Sequence, residues 1–290
     1  MTQIIEQLSE ISDSYSALLV DLWGCVHNGK TAFPAAVNAL QQYRAKGGLV
    51  VLVTNAPRSR EAVIPQLHKF NVPDDCWDTI ATSGDSARSA MFRGMVGQKL
   101  WFIGQPHDET FFEPLDVIKD PVEITRVPLE DAEGILCCGP FDPLADPEEM
   151  RAQFLWAKQK GLKMICANPD IVVDRGETRE WCAGALAKLY TEMGGVAHYF
   201  GKPHPPIYDL AYRRLATLGQ EIDKSEMLAI GDGAITDVAG AVGEDIDCLF
   251  ISGGLAAADT KTDPQPEPDA LEAYLTREAI SPRYTIGYLR

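Results

Sequence analysis

The sequence predicts an α/β protein, a Rossmann-like, doubly wound parallel sheet forming a core into which a second α/β unit is inserted. Three observations carry that expectation. Short unalternating apolar runs recur, Ala17–Val20 and Leu49–Val53 among them, and a parallel strand covered on both faces reads this way. Helical patterns separate the runs, giving the βαβ rhythm whose crossovers are right-handed. The opening pattern, with polar residues directly after each run, returns at the end of the chain after a middle stretch that has its own rhythm. The expected organisation is therefore a core built from 1–85 and 196–290, with the inserted unit at 86–195.

Taken in order, Ile4, Ile5, Leu8 and Ile11 have helical spacing and predict a short amphipathic helix ahead of the first strand. Ala17–Val20 is that strand, and Asp21 follows it at once. Pro34 sits at a first helical position and Gly47 at a helix stop, with Val37 and Leu40 as the inward stripe between them. Leu49–Val53 is the second strand, ending in Thr54-Asn55. A helix from about Ser59 and a strand at Thr79–Ala81 complete the first part. In the middle unit, strands are expected at Lys99–Ile103, Gly134–Cys138 and Leu162–Ala167. A helix opens at Asp146-Pro147-Glu148-Glu149 and another runs from Trp181 to Met193. The turn Asn168-Pro169-Asp170 is explained by turn chemistry alone. Ala197–Phe200 precedes Gly201-Lys202-Pro203 and a helix carrying Ile207, Leu210, Ala211 and Leu215. Met227–Ile230 runs into Gly231-Asp232-Gly233-Ala234-Ile235-Thr236-Asp237, and Cys248–Ile251 is the expected final strand, closed by Ser252-Gly253-Gly254.

Composition excludes several functions. The chain has 290 residues, 26 Lys and Arg against 42 Asp and Glu, and a formal net charge of −16, so a broad nucleic-acid surface is not expected. No apolar run approaches the roughly 20 residues of a membrane-spanning helix, so no membrane partner is expected either. The segment MTQIIEQLSE lacks the pattern of a secretory signal, and seven cysteines without metal-ligand spacing suit reduced, buried thiols. Cytoplasm is the expected compartment.

Four strand ends thus present Asp21, Thr54 with Asn55, Lys202, and Asp232 with Asp237. Ligands of open α/β sheets bind at such carboxyl ends. Thr54 and Asn55 donate hydrogen bonds and Lys202 supplies a point charge, which together grip a phosphoryl group. Asp21, Asp232 and Asp237 are hard oxygen donors suited to Mg²⁺. The metal also removes the repulsion between an anionic Asp21 and an anionic phosphate.

The segments LLVDLWG, VLVTN, GKP and AIGDGAITD, in that order, resemble the four motifs of the haloacid dehalogenase superfamily of phosphohydrolases. The middle unit, with ANPDIVV and WCAGALAKLY, looks like the α/β cap of its class IIA branch, similar to nitrophenyl-phosphate, nucleotide and sugar phosphatases. The resemblance implies that Asp21 is a nucleophile forming an aspartyl-phosphate and that Thr54 and Lys202 bind the phosphoryl group. It also implies that Asp21, Asp232, Asp237 and the backbone carbonyl of Trp23 hold Mg²⁺. The cap would close over and select a small phosphorylated substrate; whether caps pair into a homodimer is left open. Family phosphatases read D-x-D, whereas here the second position is Trp23. An indole offers one N–H donor and no acceptor, so it cannot shuttle a proton. Its presence implies slow turnover or good leaving groups and raises two alternatives, a binder of a phosphorylated metabolite and a haloacid dehalogenase. His27, a few residues on, is the alternative proton carrier.

Overall fold

The computed structural model describes residues 2–113, 118, 120–175, 178–219 and 221–290, without the side chains of 174 and 175. The chain divides into two compact units, one comprising Met1–Thr54, Glu61–Ala81 and Lys202–Arg290, the other Asn55–Arg60 and Thr82–Gly201.

The chain begins with strands β1 (Gln3–Ile4), β2 (Ala17–Val20), β3 (Leu49–Thr54) and β4 (Thr79–Thr82), with helices α1 (Pro34–Ala45) and α2 (Arg60–Lys69) between them. Helix α3 (Ser83–Phe92) leads into β5 (Lys99–Ile103), β6 (Thr125–Arg126), β7 (Gly134–Cys137), α4 (Arg151–Gln159), β8 (Lys163–Cys166), β9 (Val172–Arg175), β10 (Thr178–Trp181), α5 (Ala183–Glu192) and β11 (Val196–Tyr199). The return comprises α6 (Pro205–Ala216), β12 (Met227–Gly231), α7 (Ala239–Glu244), β13 (Asp247–Ile251), α8 (Pro268–Arg277) and β14 (Tyr284–Ile286).

The first unit is a seven-stranded sheet in the order β1-β14-β13-β12-β2-β3-β4. Its central pairs are parallel and in register, with Val20 opposite Ile230 on one side and Leu52 on the other. Ala17 and Leu19 face a core shared with α6, α7 and α8, while Leu18 and Val20 point to the other face and are equally buried. Burial on both faces is why these strands read as continuous apolar runs. Each fully buried Leu or Val contributes roughly 1.5–3 kcal/mol.

The second unit is a five-stranded parallel sheet in the order β11-β8-β7-β5-β6, with β9 and β10 paired as an antiparallel hairpin. Alternation along β7 sends Ile135 and Cys137 into one core and Leu136 and Cys138 into another. The adjoining cysteines are therefore small core residues serving opposite faces.

Three expectations needed correction. Residues 3–11 form an edge strand and a 3₁₀ turn, because Gln3 and Ile4 pair with β14, which satisfies backbone that a lone short helix would leave open. The sheet continues past Ile251 through β14, whose three residues are too few to show a period. Trp181 ends β10 instead of starting α5.

Candidate active site

From β2 the chain steps to β3 and β4, whereas the returning strands β12, β13 and β14 stack on the opposite side. The order reverses between β2 and β12, and at such a switch point the loops diverge and leave a crevice. Asp21 extends the ladder past the end of β2, its N–H donating to Ile230 O at 2.8 Å. Asp232 directly follows Gly231, the last residue of β12. The two carboxylates therefore leave neighbouring strands side by side. Their packing demands a glycine at 24, where φ is +72° and an added Cβ would stand 2.1 Å from Asp232 Oδ2. The same oxygen accepts the Leu255 N–H at 3.0 Å.

Lys202, in the loop ahead of α6, is 3% exposed and bridges the site. Its Nζ donates to Asp21 Oδ1 at 2.5 Å and to Asp237 Oδ1 at 2.8 Å. Asp237 Oδ2 accepts the Gly233 N–H at 3.1 Å. Burial works against the Lys202 ammonium, but Asp21 and Asp237 outweigh it and hold its pKa well above that of ordinary lysine. Burial pushes the Asp21 carboxyl upward against the opposing charge of Lys202, with Asp237 and Asp232 adding to the rise. Burial and then Asp237 raise Asp232 from 3.8 to about 7. Three carboxylates facing one ammonium leave two negative charges uncompensated, a balance that a divalent cation restores.

Oxygens of Asp21 and Asp232 lie within 4.8 Å of one another and of Cys25 Sγ. An octahedral Mg²⁺ has its oxygen ligands at about 2.0–2.1 Å, so two such carboxylates are spaced for one ion; the soft sulfur is a poor partner for it. The donor set fits Mg²⁺.

Thr54 ends β3 and is buried beside β2. Asn55, the next residue, belongs to the second unit, where its Nδ2 donates to Asp170 Oδ1 at 2.8 Å. Trp23 occupies the loop after Asp21 with 38% of its surface exposed. His27, the alternative proton carrier, has its ring packed against Phe70; its Nδ1 accepts the Gly29 N–H at 3.1 Å, and burial lowers its pKa to about 4. Sequence reasoning missed Cys25 and the Leu255 N–H. The signal for the latter was the Gly253-Gly254 pair, since at Gly254 too a Cβ would collide with Asp232.

Fold and site define the class, a Rossmann-like α/β protein with a carboxylate cluster and a buried lysine at the switch point of its parallel sheet. Residues 18–118 match the family model described as haloacid dehalogenase-like hydrolase, and residues 199–277 match a second, HAD-hydrolase-like model. The solved structure of a haloacid dehalogenase-like family hydrolase from Brucella suis 1330 is 37% identical, covers 99% of this chain and 100% of that one, and superposes with a TM-score of 0.84. The chain belongs to the haloacid dehalogenase-like hydrolase family. The 5'-nucleotidase YutF of Bacillus subtilis (strain 168) is 24% identical over 257 residues, 88% of this chain and 94% of that protein. A glycerol phosphate phosphatase from Mycobacterium tuberculosis, solved in complex with magnesium, has a TM-score of 0.64 at 23% identity over 88% of this chain and 74% of that one.

Proposed function

We propose that the protein is a Mg²⁺-dependent phosphatase that hydrolyses a small phosphomonoester through an aspartyl-phosphate on Asp21. The observation that carries this reading is Lys202 held between Asp21 and Asp237 at the end of the central strands, with Asp232 alongside. The names of the nucleotidase and the glycerol phosphate phosphatase support the reaction class, and the magnesium in the latter supports the metal.

An Asp21 oxygen attacks phosphorus, the bond to the leaving oxygen breaks, and water then cleaves the acyl phosphate to free Asp21. Lys202 and the Thr54 hydroxyl hold the phosphoryl oxygens. Mg²⁺ bound by Asp21, Asp232 and the Trp23 carbonyl, with Asp237 beside them, supplies positive charge against the repulsion of two anions. Trp23 gives no proton to the leaving group and activates no water, so turnover is slow. Segment 86–195 is assigned as the cap. All seven cysteines are free and buried, which supports a reducing, cytoplasmic setting.

The test is phosphate release from p-nitrophenyl phosphate with Mg²⁺ or with a chelator, in the wild type and in Asp21→Asn. Hydrolysis that needs both Mg²⁺ and Asp21 is expected. Equal, negligible rates alongside thermal stabilisation by a phosphate ester would mark a binding protein instead.

A further inference from the structure

We propose that the Cys25 sulfur, together with Asp21 and Asp232, forms a site for a thiophilic divalent cation, Zn²⁺ or Cd²⁺, that excludes Mg²⁺ and switches the active site off. The cation site stands on the geometry alone, whereas the inhibition rests on the phosphatase reading above.

The loop after β2 carries the sulfur to the carboxylates. The Val26 and His27 N–H groups both donate to Leu22 O, at 2.9 and 3.1 Å, and the Gly24 N–H donates to His27 O at 3.0 Å, so the chain from Leu22 to His27 closes into a tight turn. Leu22 and Val26 are buried and anchor that turn in the core. Cys25 stands between them, directly after Gly24, whose positive φ brings the backbone against Asp232. Its Sγ lies within 4.8 Å of carboxylate oxygens of both Asp21 and Asp232, and no other group of three or more His, Cys, Asp and Glu ligand atoms this close occurs among the described residues. The side chain is 1% exposed, and its sulfur has no hydrogen-bond partner among the described residues. Two other buried cysteines do find partners: Cys76 Sγ donates to Pro73 O at 3.0 Å and Cys166 Sγ to Asn168 O at 3.2 Å. Cys25 instead turns an unpaired sulfur toward two carboxylates.

Sulfur changes which ion the cluster prefers. Mg²⁺ takes oxygen ligands in octahedral geometry and keeps several waters, so the thiol contributes nothing to it. Thiolate selects softer ions, and Zn²⁺ with mixed donors takes Zn–S at ~2.3 Å and Zn–O at ~2.0–2.2 Å in a tetrahedron. Cys25, Asp21 and Asp232 then fill all but one of the four positions, where octahedral Mg²⁺ leaves several for water and phosphate. In the metal-free protein burial, then Asp232 and Asp21, hold the Cys25 pKa well above that of an ordinary thiol, so the sulfur keeps its proton. Binding is a balanced exchange. The metal–sulfur bond forms as the S–H bond breaks, the electron pair stays on sulfur, the proton passes to solvent, and nothing is oxidised or reduced. Asp21 and Asp232 cannot serve both ions at once, so the bound Zn²⁺ or Cd²⁺ stops the Mg²⁺-dependent reaction proposed above.

The experiment titrates Co²⁺, a spectroscopic stand-in for Zn²⁺, into the whole chain in wild type, Cys25→Ser and Asp232→Asn. The expected result is a thiolate-to-Co²⁺ charge-transfer band in the near ultraviolet that saturates at one equivalent, is lost in both variants and is bleached by Zn²⁺ or Cd²⁺. Absence of the band in wild type overturns the proposal whatever the variants do, and so does a band that survives in Cys25→Ser. Calorimetry gives a second readout. Zn²⁺ binding should weaken in Cys25→Ser by at least about 10-fold, no less than the loss on removing an outer partner of a metal ligand, while Mg²⁺ binding falls by a smaller factor. Equal factors for the two ions would mean that the serine damages the cluster generally and that sulfur selects nothing. The inhibition is read separately, by adding Zn²⁺ to p-nitrophenyl phosphate hydrolysis at fixed Mg²⁺. Wild type should lose its rate and regain it as Mg²⁺ is raised, and Cys25→Ser should resist Zn²⁺ when compared with its own Zn²⁺-free rate. Undiminished hydrolysis by wild type at Zn²⁺ levels that saturate the calorimetric titration overturns the switch. If wild type hydrolyses no ester with Mg²⁺ alone, the phosphatase reading fails, and the Co²⁺ spectrum and the calorimetry still decide the cation site.

Discussion

Lys202 is the residue whose removal separates charge balance from mere packing. It is the only cation bonded to Asp21 among the described residues, and it is almost fully buried. Lys202→Met keeps much of the side-chain volume but strands two carboxylates in a low-dielectric site. Breaking a buried pair by removing one partner costs about 3–5 kcal/mol. The expected outcome is a loss of that order in urea unfolding of the metal-free protein, together with loss of phosphatase activity. A stable, active Lys202→Met protein would show that the ammonium balances nothing. The residue itself was legible in the sequence because Gly201-Lys202-Pro203 directly follows an apolar run, as Asp21 and Asp232 follow theirs. Cys25 and the Leu255 N–H were not. Their place in the site depends on how two loops fold over the Asp232 carboxylate, and spacing along the chain does not encode that approach.

At the level of elements, Asn168-Pro169-Asp170 does more than turn the chain. The Asp170 N–H donates to Asn168 Oδ1 at 3.0 Å, and its carboxylate accepts the Asn55 amide. Its carbonyl takes the Gly184 N–H at 3.1 Å, in the first turn of α5. The turn thus ties the segment that leaves β3 to a helix start in the same unit. Asp170→Ala removes the acceptor from a buried amide, at a cost of about 1–3 kcal/mol. Asp170→Asn retains an acceptor oxygen, so thermal unfolding should show the larger loss in the alanine variant; equal losses would sink this account. Turn chemistry announced the turn in the sequence, but the partner 115 positions away left no local trace. The same contrast runs through the strands. The central runs at Ala17–Val20 and Met227–Gly231 were readable because both their faces are buried. The edge strands Gln3–Ile4 and Tyr284–Ile286, and the hairpin of Val172–Arg175 with Thr178–Trp181, are short or half-exposed, and pairing rather than periodicity defines them.

For the molecule as a whole, two buried groups pull its stability in opposite directions with pH. Asp232 rises from 3.8 to about 7 in the fold, so its contribution is fully present below about pH 3.8 and is lost as pH climbs through 7. His27 falls from 6.5 to about 4, so its contribution is present above pH 6.5 and is lost as pH drops through 4. Over the shared window the two slopes offset one another, and the melting temperature of the metal-free protein is a poor witness to either. The difference made by Mg²⁺ is a better one, because His27 contributes equally with and without metal and cancels. A cation held by Asp232 requires its ionised form, so each step in pH toward 7 and beyond spends less binding energy on removing a proton and leaves more to stabilise the folded chain. The rise in melting temperature on adding Mg²⁺ should therefore be small near pH 5, grow through neutrality and level off above about pH 8, and Asp232→Asn should abolish the trend. A Mg²⁺ increment that stays constant across that range would mean that Asp232 is ionised throughout, and that Lys202 already neutralises the cluster without a metal.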